Sequence, residues 1–272
     1  DDEYVNPTWE DGVAYVDAGP IGGLVVNDGI VVGRSARQRD PGEAAAREFT
    51  RLLRDRGVSV SGGWQAGLLD PAVPVVASIE SPPLSAIVSD MLTRSDNDTA
   101  EMLVKELGFS LAQPGTTESG LAVLEQTVTS WGVPMDNVVF ADGSGLSAEN
   151  RLTCDTLVAV LDHLETSPAV DGLPVAGRSG TLIDDFLGSP VEGSLVAKTG
   201  TLSNPPSDAD PPEVKALAGY FDAPNGETLQ FALVLNGPGY VTADGYVPFW
   251  SALADRLAVH PTAPDPALLG PR

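Results

Sequence analysis

Six stretches of the chain repeat apolar residues at helical spacing, and three later stretches repeat them at strand spacing. The first helical stretch is "DPGEAAAREFTRLLRDRG". Asp40 suits the N-cap, Pro41 the first turn and Gly57 the C-terminal stop. Ala45, Phe49, Leu52 and Arg56 share a stripe, with Leu53 beside it. In "SPPLSAIVSDML", Ser81 is the expected cap, Pro82 the expected start, and Leu84, Ile87, Val88 and Met91 the expected buried face. A third helix is predicted after Ser95, through Ala100, Leu103, Val104 and Leu107 to Gly108. "ESGLAVLEQTVTSWG" and "TCDTLVAVLDHLE" predict two more. "YVPFWSALADRLAV" predicts a closing helix, followed by the tail "PTAPDPALLGPR" with no expected structure.

From residue 194 the period changes to two. "SLVAKTGTL", "VKALAGYFDA" and "TLQFALVLNG" predict three strands. The acidic, proline-rich loop "SNPPSDADPPE" separates the first two. Residues 1–35 read as short strands, with "VNDGIVV" a hairpin around Asp28 and Gly29. A helical cluster followed by an antiparallel sheet and a last helix predicts an α+β fold. The expected division is a strand-rich segment 1–35, one domain over 36–260, and the tail 261–272.

Composition narrows the chemistry. The net charge of −23 and pI near 4.1 argue against nucleic-acid binding through a basic face. One cysteine, Cys154, precludes an internal disulfide or a cysteine-rich zinc site, and it reads as a small apolar helix residue. The two histidines, His163 and His260, read as structural or exposed, so a Ser-His-Asp triad is not expected. No apolar run approaches the roughly 20 residues that span a bilayer. No stretch of these residues is expected to be a signal peptide. The start "DDEYVNPTWE", without methionine, is expected of a processed form or a fragment.

The chain has only three lysines, Lys105, Lys198 and Lys215. Lys198 sits in a mostly apolar strand as Lys198-Thr199-Gly200-Thr201. A charged lysine is costly to bury, so one reading is an edge strand with Lys198 in solvent. Gly200 favours another, because a strand glycine often marks the close approach of a ligand or a backbone. A phosphate loop is discounted, since Ala197 stands where glycine is needed and a strand continues where a helix should begin. Ser95-Asp96-Asn97 has two readings as well. Ser95 can cap a helix, with Asp98 three residues on as a relative of the capping box. Paired with "KTG", the triplet reads as Ser-x-Asn, and the two are elements of the penicillin-recognising serine hydrolases.

The resemblance extends along the chain. "DPGEAAAREFTRLLRDRGVSVSG", "SPPLSAIVSDMLTRSDNDTAEMLVKELG", "ADGSGLSAENRLT", "LPVAGRSGTL" and "AKTGTL…ALAGYF" stand in the order seen in the D-alanyl-D-alanine carboxypeptidase/endopeptidase family S13. Its members are the class C low-molecular-mass penicillin-binding proteins. The match covers roughly residues 20–255, and the arginine-rich style looks actinobacterial. The resemblance implies a β-lactamase/transpeptidase-like domain, an extracytoplasmic location and no cofactor or metal. It implies a peptidoglycan stem peptide ending in D-Ala-D-Ala as substrate and β-lactams as acylating ligands. By motif, Ser95 relays a proton to the leaving amine and Asn97 holds a substrate amide. Lys198 supplies positive potential, and Thr199 and Thr201 contact the substrate carboxylate beside Gly200. The strand at Thr201 offers an oxyanion N–H. Asp142 and Ser144, in "DGSGLS", read either as a tight turn or as a wall of the site. Arg178 reads as an ion pair or as substrate-facing.

One departure stands out. The family's nucleophile lies in Ser-x-x-Lys, and no serine here has a lysine three residues on: Met102, Leu195 and Pro212 precede the three lysines at that distance. The loop after "KTGTL" is also longer than expected. The sequence thus resembles the second half of such an enzyme, and the half with the nucleophile helix is expected to lie outside it as a partner segment. Two alternatives remain open: a pseudoenzyme that binds muropeptides without cleaving them, and a distant β-lactamase-like hydrolase.

Overall fold

The computed structural model describes residues 3–10, 12–30, 37–68, 70–112, 114–203 and 213–261. Its helices are α1 (Pro41–Asp55), α2 (Leu84–Arg94), α3 (Asn97–Leu107), α4 (Thr117–Ser130), α5 (Cys154–Leu164) and α6 (Ala243–Ala258). Its strands are β1 (Leu195–Leu202), β2 (Val214–Asp222) and β3 (Thr228–Asn236). The fold class is α+β, as the change of period predicts. The chain divides into two compact units. The first comprises Asp1–Pro83, Asn97–Gln126 and Phe140–Asn150; the second comprises Leu84–Asp96, Thr127–Val139 and Arg151–Arg272.

The second unit holds the sheet, ordered β1-β2-β3 and antiparallel throughout. Side chains on a strand alternate between faces. Leu195 and Ala197 of β1, Leu217 and Phe221 of β2, and Phe231 of β3 therefore share one face, and they form the core with Trp250, Ala254 and Leu257 of α6. Lys198, Ala218 and Tyr220 fall on the opposite face, where Tyr220 Oη donates to the Leu161 carbonyl of α5 at 2.6 Å. Gly219 lets β1 and β2 approach: a Cβ there would lie 2.1 Å from the Val196 oxygen and 2.6 Å from Ala197 Cα.

The first unit is organised by buried carboxylates as much as by apolar contact. Its apolar cluster is Trp9, Ala18 and Leu146. Asp98 accepts from the Gly19 N–H at 2.8 Å and pairs with Arg37. Glu101, 1% exposed, accepts from the N–H groups of Gly143 and Ser144 at 3.0 and 2.8 Å. Burial pushes the Glu101 carboxyl above its usual pKa, against those bonds. Buried polar groups satisfied in this way fix loops that apolar packing alone would leave undetermined.

Several local expectations are corrected. The described residues of 1–35 carry no strand; they form turns, a bridge between Ala14 and Ala18, a 3-10 turn at Asn27–Gly29 and a bridge from Ile30 to Arg37. Asp28 and Asn27 adopt left-handed conformations, which break strand geometry. Part of the proposed hairpin, the interior of the acidic loop (204–212) and the tail from 262 lie outside the described residues. α1 keeps its cap, with the Glu43 N–H donating to Asp40 Oδ1 at 2.8 Å. Its stripe is less buried than the pattern suggests, since Phe49 is 63% exposed. α2 starts at Leu84, past Ser81 and Pro82, and Leu84 is exposed. Cys154 is the exposed first residue of α5. His163 stacks on Trp131 at 4.0 Å, and His260 meets Glu227 at 3.1 Å. No helix among the described residues is long and apolar enough to cross a membrane.

Gly219→Ala drives a methyl group into the β1 backbone, where no side chain can yield. It is expected to destabilise the chain by about 2–3 kcal/mol or more. The denaturation midpoint in urea checks this, with the neighbouring Ala218→Gly as a control for propensity.

Candidate active site

α2 ends in a left-handed turn. The Asp96 N–H donates back to the Met91 carbonyl at 3.0 Å, closing the helix in the Schellman pattern. Ser95 occupies the position before that donor, with φ +58°. Glycine is the usual residue there, because a Cβ strains the left-handed conformation. This corrects the N-cap reading: Ser95 terminates α2, and Asp98 is engaged by Gly19 and Arg37 rather than in a capping box. A strained serine where glycine would fold better points to a role for the hydroxyl.

That hydroxyl faces Lys198. Nζ of Lys198, in β1, donates to Ser95 Oγ at 2.6 Å and to the Thr199 carbonyl at 2.7 Å, joining residues 103 apart in sequence. The edge-strand reading is half right. β1 is an edge strand, but Lys198 is half-buried, and burial pushes its ammonium down to about 8 from 10.5. A lysine in that range can carry or release a proton near neutral pH.

The edge of β1 is the second part of the site. The Ala197 N–H donates to the Pro174 carbonyl, and the Leu195 carbonyl accepts from Ala176, so these groups point away from β2. By the two-residue alternation of an antiparallel ladder, the N–H groups of Thr199 and Thr201 point the same way. Thr201 is exposed at that edge. Gly200 faces Ala216 on β2, where a Cβ would lie at 3.3 Å, so its smallness serves the sheet.

Two partners escaped the sequence reading. Thr181 Oγ1 lies 2.8 Å from Thr199 Oγ1, and Lys215 Nζ donates to Thr201 Oγ1 at 2.9 Å. Lys215 stands opposite Thr201 in the register, a pairing that the two strand patterns could have suggested. Arg178 has no ion pair among the described residues. Its guanidinium packs over Gly193, where a Cβ would meet Cζ at 2.3 Å.

The remaining candidates belong to the first unit. Asn97 opens α3, and its Nδ2 donates to the Asp17 carbonyl at 3.0 Å. Asp142 is 5% exposed. It accepts from Trp9 Nε1, the N–H groups of Gly145 and Ser147, and Asn150 Nδ2, at 2.5–2.9 Å. Ser144 Oγ donates to it at 3.4 Å. Both Asp142 oxygens are thus engaged by the turn, in agreement with the tight-turn reading. Among the described residues no cluster of three or more His, Cys, Asp or Glu could hold a metal ion.

The chain is similar to known proteins along most of its length. The model of the D-Ala-D-Ala carboxypeptidase 3 (S13) family matches residues 13–246. A D-alanyl-D-alanine carboxypeptidase of Actinomadura sp. (strain R39) is 37% identical over 211 residues, covering 73% of this chain and 37% of that protein. Carboxypeptidase DacB of Mycolicibacterium smegmatis is 32% identical over 218 residues, covering 75% of this chain and 44% of that protein. The chain thus spans less than half the length of either relative. Penicillin-binding protein 4 (dacB) from Haemophilus influenzae, solved in complex with a β-lactam, aligns with a TM-score of 0.69 at 25% identity, over 81% of this chain and 52% of that one.

Two outcomes are expected of the site. Ser95→Gly should be more stable than Ser95→Ala by about 1 kcal/mol, since both lack the hydroxyl and only alanine retains the left-handed strain; thermal melts of the two variants compare them. The second concerns pH. Lys198 has a folded pKa below its unfolded value, so the unfolded chain binds more protons between about pH 8 and 10.5. Stability conferred by this group rises with pH across that window, by at most about 1.4 kcal/mol per pH unit. Relative to Lys198→Met, wild type should therefore gain stability from pH 8 to 10.5, and urea denaturation of both across this range measures the gap.

Proposed function

Because the chain belongs to the D-Ala-D-Ala carboxypeptidase 3 (S13) family, we propose that it supplies much of the active site of an extracytoplasmic serine-type D-Ala-D-Ala carboxypeptidase/endopeptidase. The observation that carries the reading is the 2.6 Å bond between Lys198 Nζ and Ser95 Oγ. It joins the two sequence elements through a half-buried cation whose pKa burial lowers to about 8.

The substrate is a peptidoglycan stem peptide ending in D-Ala-D-Ala, and its terminal carboxylate lies along the edge of β1. A nucleophilic serine in Ser-x-x-Lys, on a segment outside these residues, attacks the penultimate carbonyl as the adjacent lysine takes the hydroxyl proton. The new C–O bond opens the carbonyl to a tetrahedral oxyanion; when that collapses the C–N bond breaks, and the departing amine needs a proton. Ser95 delivers it through its hydroxyl, and Lys198 replenishes it and supplies the positive potential that lowers the energy of the developing anion. The Thr201 N–H, directed to the open edge, stabilises the oxyanion, an interaction worth on the order of 3 kcal/mol in related acyl transfers. Thr199 and Thr201 bind the carboxylate through their hydroxyls. Asn97 holds a substrate amide, a role that rests on its place in Ser-x-Asn. β-Lactams are opened by the same groups and remain as the acyl-enzyme.

Residues 1–272 by themselves then lack an activated nucleophile. Ser95 has Asp98, not lysine, three residues on, and Lys198 donates to its oxygen instead of removing its proton. The alternative reading is a muropeptide-binding module without turnover.

Fluorescent penicillin separates these readings. The isolated chain is expected to stay unlabelled, and the full-length protein to be labelled in a band that excess unlabelled β-lactam abolishes. In that full-length protein, Ser95→Ala and Lys198→Ala should each slow acylation by about 100-fold or more. Serine-dependent labelling of residues 1–272 alone would contradict the assignment of the nucleophile. A full-length protein that binds muropeptide without labelling would leave the binding-module reading in its place.

A further inference from the structure

Lys215 is a cation that neither the motif nor the mechanism above uses. It projects from β2 on the face covered by α6, directly opposite Thr201 of β1. Its Nζ lies 4.4 Å from the ring centre of Tyr246 and 5.2 Å from that of Trp250, four residues further along α6. The two rings are themselves packed, 4.5 Å between centres and tilted by 60°. Phe186 stacks on Trp250 at 5.6 Å, and Tyr246 Oη donates to Asp185 at 3.3 Å. The ammonium thus rests on aromatic faces, an arrangement favourable for a partly desolvated cation. Its third contact is Thr201 Oγ1, at 2.9 Å.

The direction of that last bond follows from proton count. A lysine ammonium has three N–H donors and no acceptor. Thr201 Oγ1 must accept from it, so the single hydroxyl proton of Thr201 is left for another acceptor. Thr201 is exposed at the open edge of β1, next to its own outward N–H. A hydroxyl whose lone pair is occupied by a cation is a better donor than a free one, because hydrogen bonds in a chain polarise one another. An anion at the edge meets that donor, with the charge of Lys215 behind it.

We propose that Lys215 is a positioning residue for carboxylate recognition: held over Tyr246 and Trp250, it fixes Thr201 Oγ1 as an acceptor and commits the Thr201 proton to an anion at the edge of β1. The inference rests on the D,D-peptidase reading, in which that anion is the C-terminal carboxylate of the substrate peptide. It deepens the reading by making the choice of a free carboxylate over an amide depend on a residue beyond the Lys-Thr-Gly element. A strap that merely ties β1 to α6 would show the same contacts and would affect only stability.

The test measures kcat and KM of the full-length protein on two substrates, a peptide ending in D-Ala-D-Ala and the same peptide with its C-terminus amidated. Lys215→Met is expected to raise KM for the acid by about tenfold, the size of one lost charge-assisted bond, while kcat stays within about twofold. The amide is expected to be unaffected, so the preference for acid over amide collapses. Thr201→Val should produce the same collapse, and the double variant should be no worse than Thr201→Val alone. Lys215→Arg, which keeps charge, donors and stacking, should recover most of the preference. Melting curves identify any loss of fold. If Lys215→Met does not fold, the soluble pair decides: Thr201→Val must abolish the preference, and Lys215→Arg must change nothing in the Thr201→Val background. An unchanged preference in Lys215→Met or Thr201→Val, or additive effects of the two, overturns the inference and leaves the peptidase reading standing. A wild type inert to both peptides and to penicillin removes the peptidase reading, and the inference with it.

Discussion

The candidate site depends on a cation withdrawn from water. Lys198 projects from the edge strand of the sheet, where burial disfavours its charge and two oxygens meet its nitrogen: the Thr199 carbonyl and the Ser95 hydroxyl. Desolvation alone would make such a lysine a liability. It becomes useful because the surrounding structure supplies a partner that can pass a proton on. The core beneath β1 fixes the strand, and the Schellman turn fixes the hydroxyl.

The turn shows what this arrangement costs. A glycine at position 95 would end α2 without strain, yet the residue is a serine held at φ +58°. Local folding preference and chemistry conflict at this position, and such conflicts are expected where a side chain has work to do. Gly219 shows the opposite case, a residue chosen for packing alone, since any side chain would strike the β1 backbone. Gly200 is under a much weaker constraint, since a Cβ there would meet only the Ala216 side chain, at 3.3 Å.

The two units use different physics. The unit with the sheet is built on apolar side chains alternating across strands and on the aromatic surface of α6. The other is built on carboxylates, Asp98, Glu101 and Asp142, each turned onto backbone N–H groups. In an acidic chain of net charge −23, burying some carboxylates against backbone donors keeps loops ordered without requiring more cations. Asp142 illustrates the consequence: a conspicuous acidic residue in a glycine-rich turn serves the turn.

Periodicity was sufficient to locate the six α-helices and three strands of the described residues, because both element types bury an apolar face and must repeat at a fixed interval to do so. It also placed Lys198 on a strand and Ser95 at a helix boundary. It misjudged the described part of residues 1–35, where left-handed residues interrupt apolar runs that resemble strands, and it took Ser95 for the start of α3 when it is the end of α2. Residue spacing cannot distinguish those cases, since a serine between two helices suits either cap. The meeting of Ser95 with Lys198, the placement of Thr181 on Thr199, and that of Lys215 between Thr201 and two aromatic rings were decided by tertiary structure. Such contacts join residues distant in the chain, and the energy that selects them comes from the packing of the sheet against its helices, which no local pattern of residues contains.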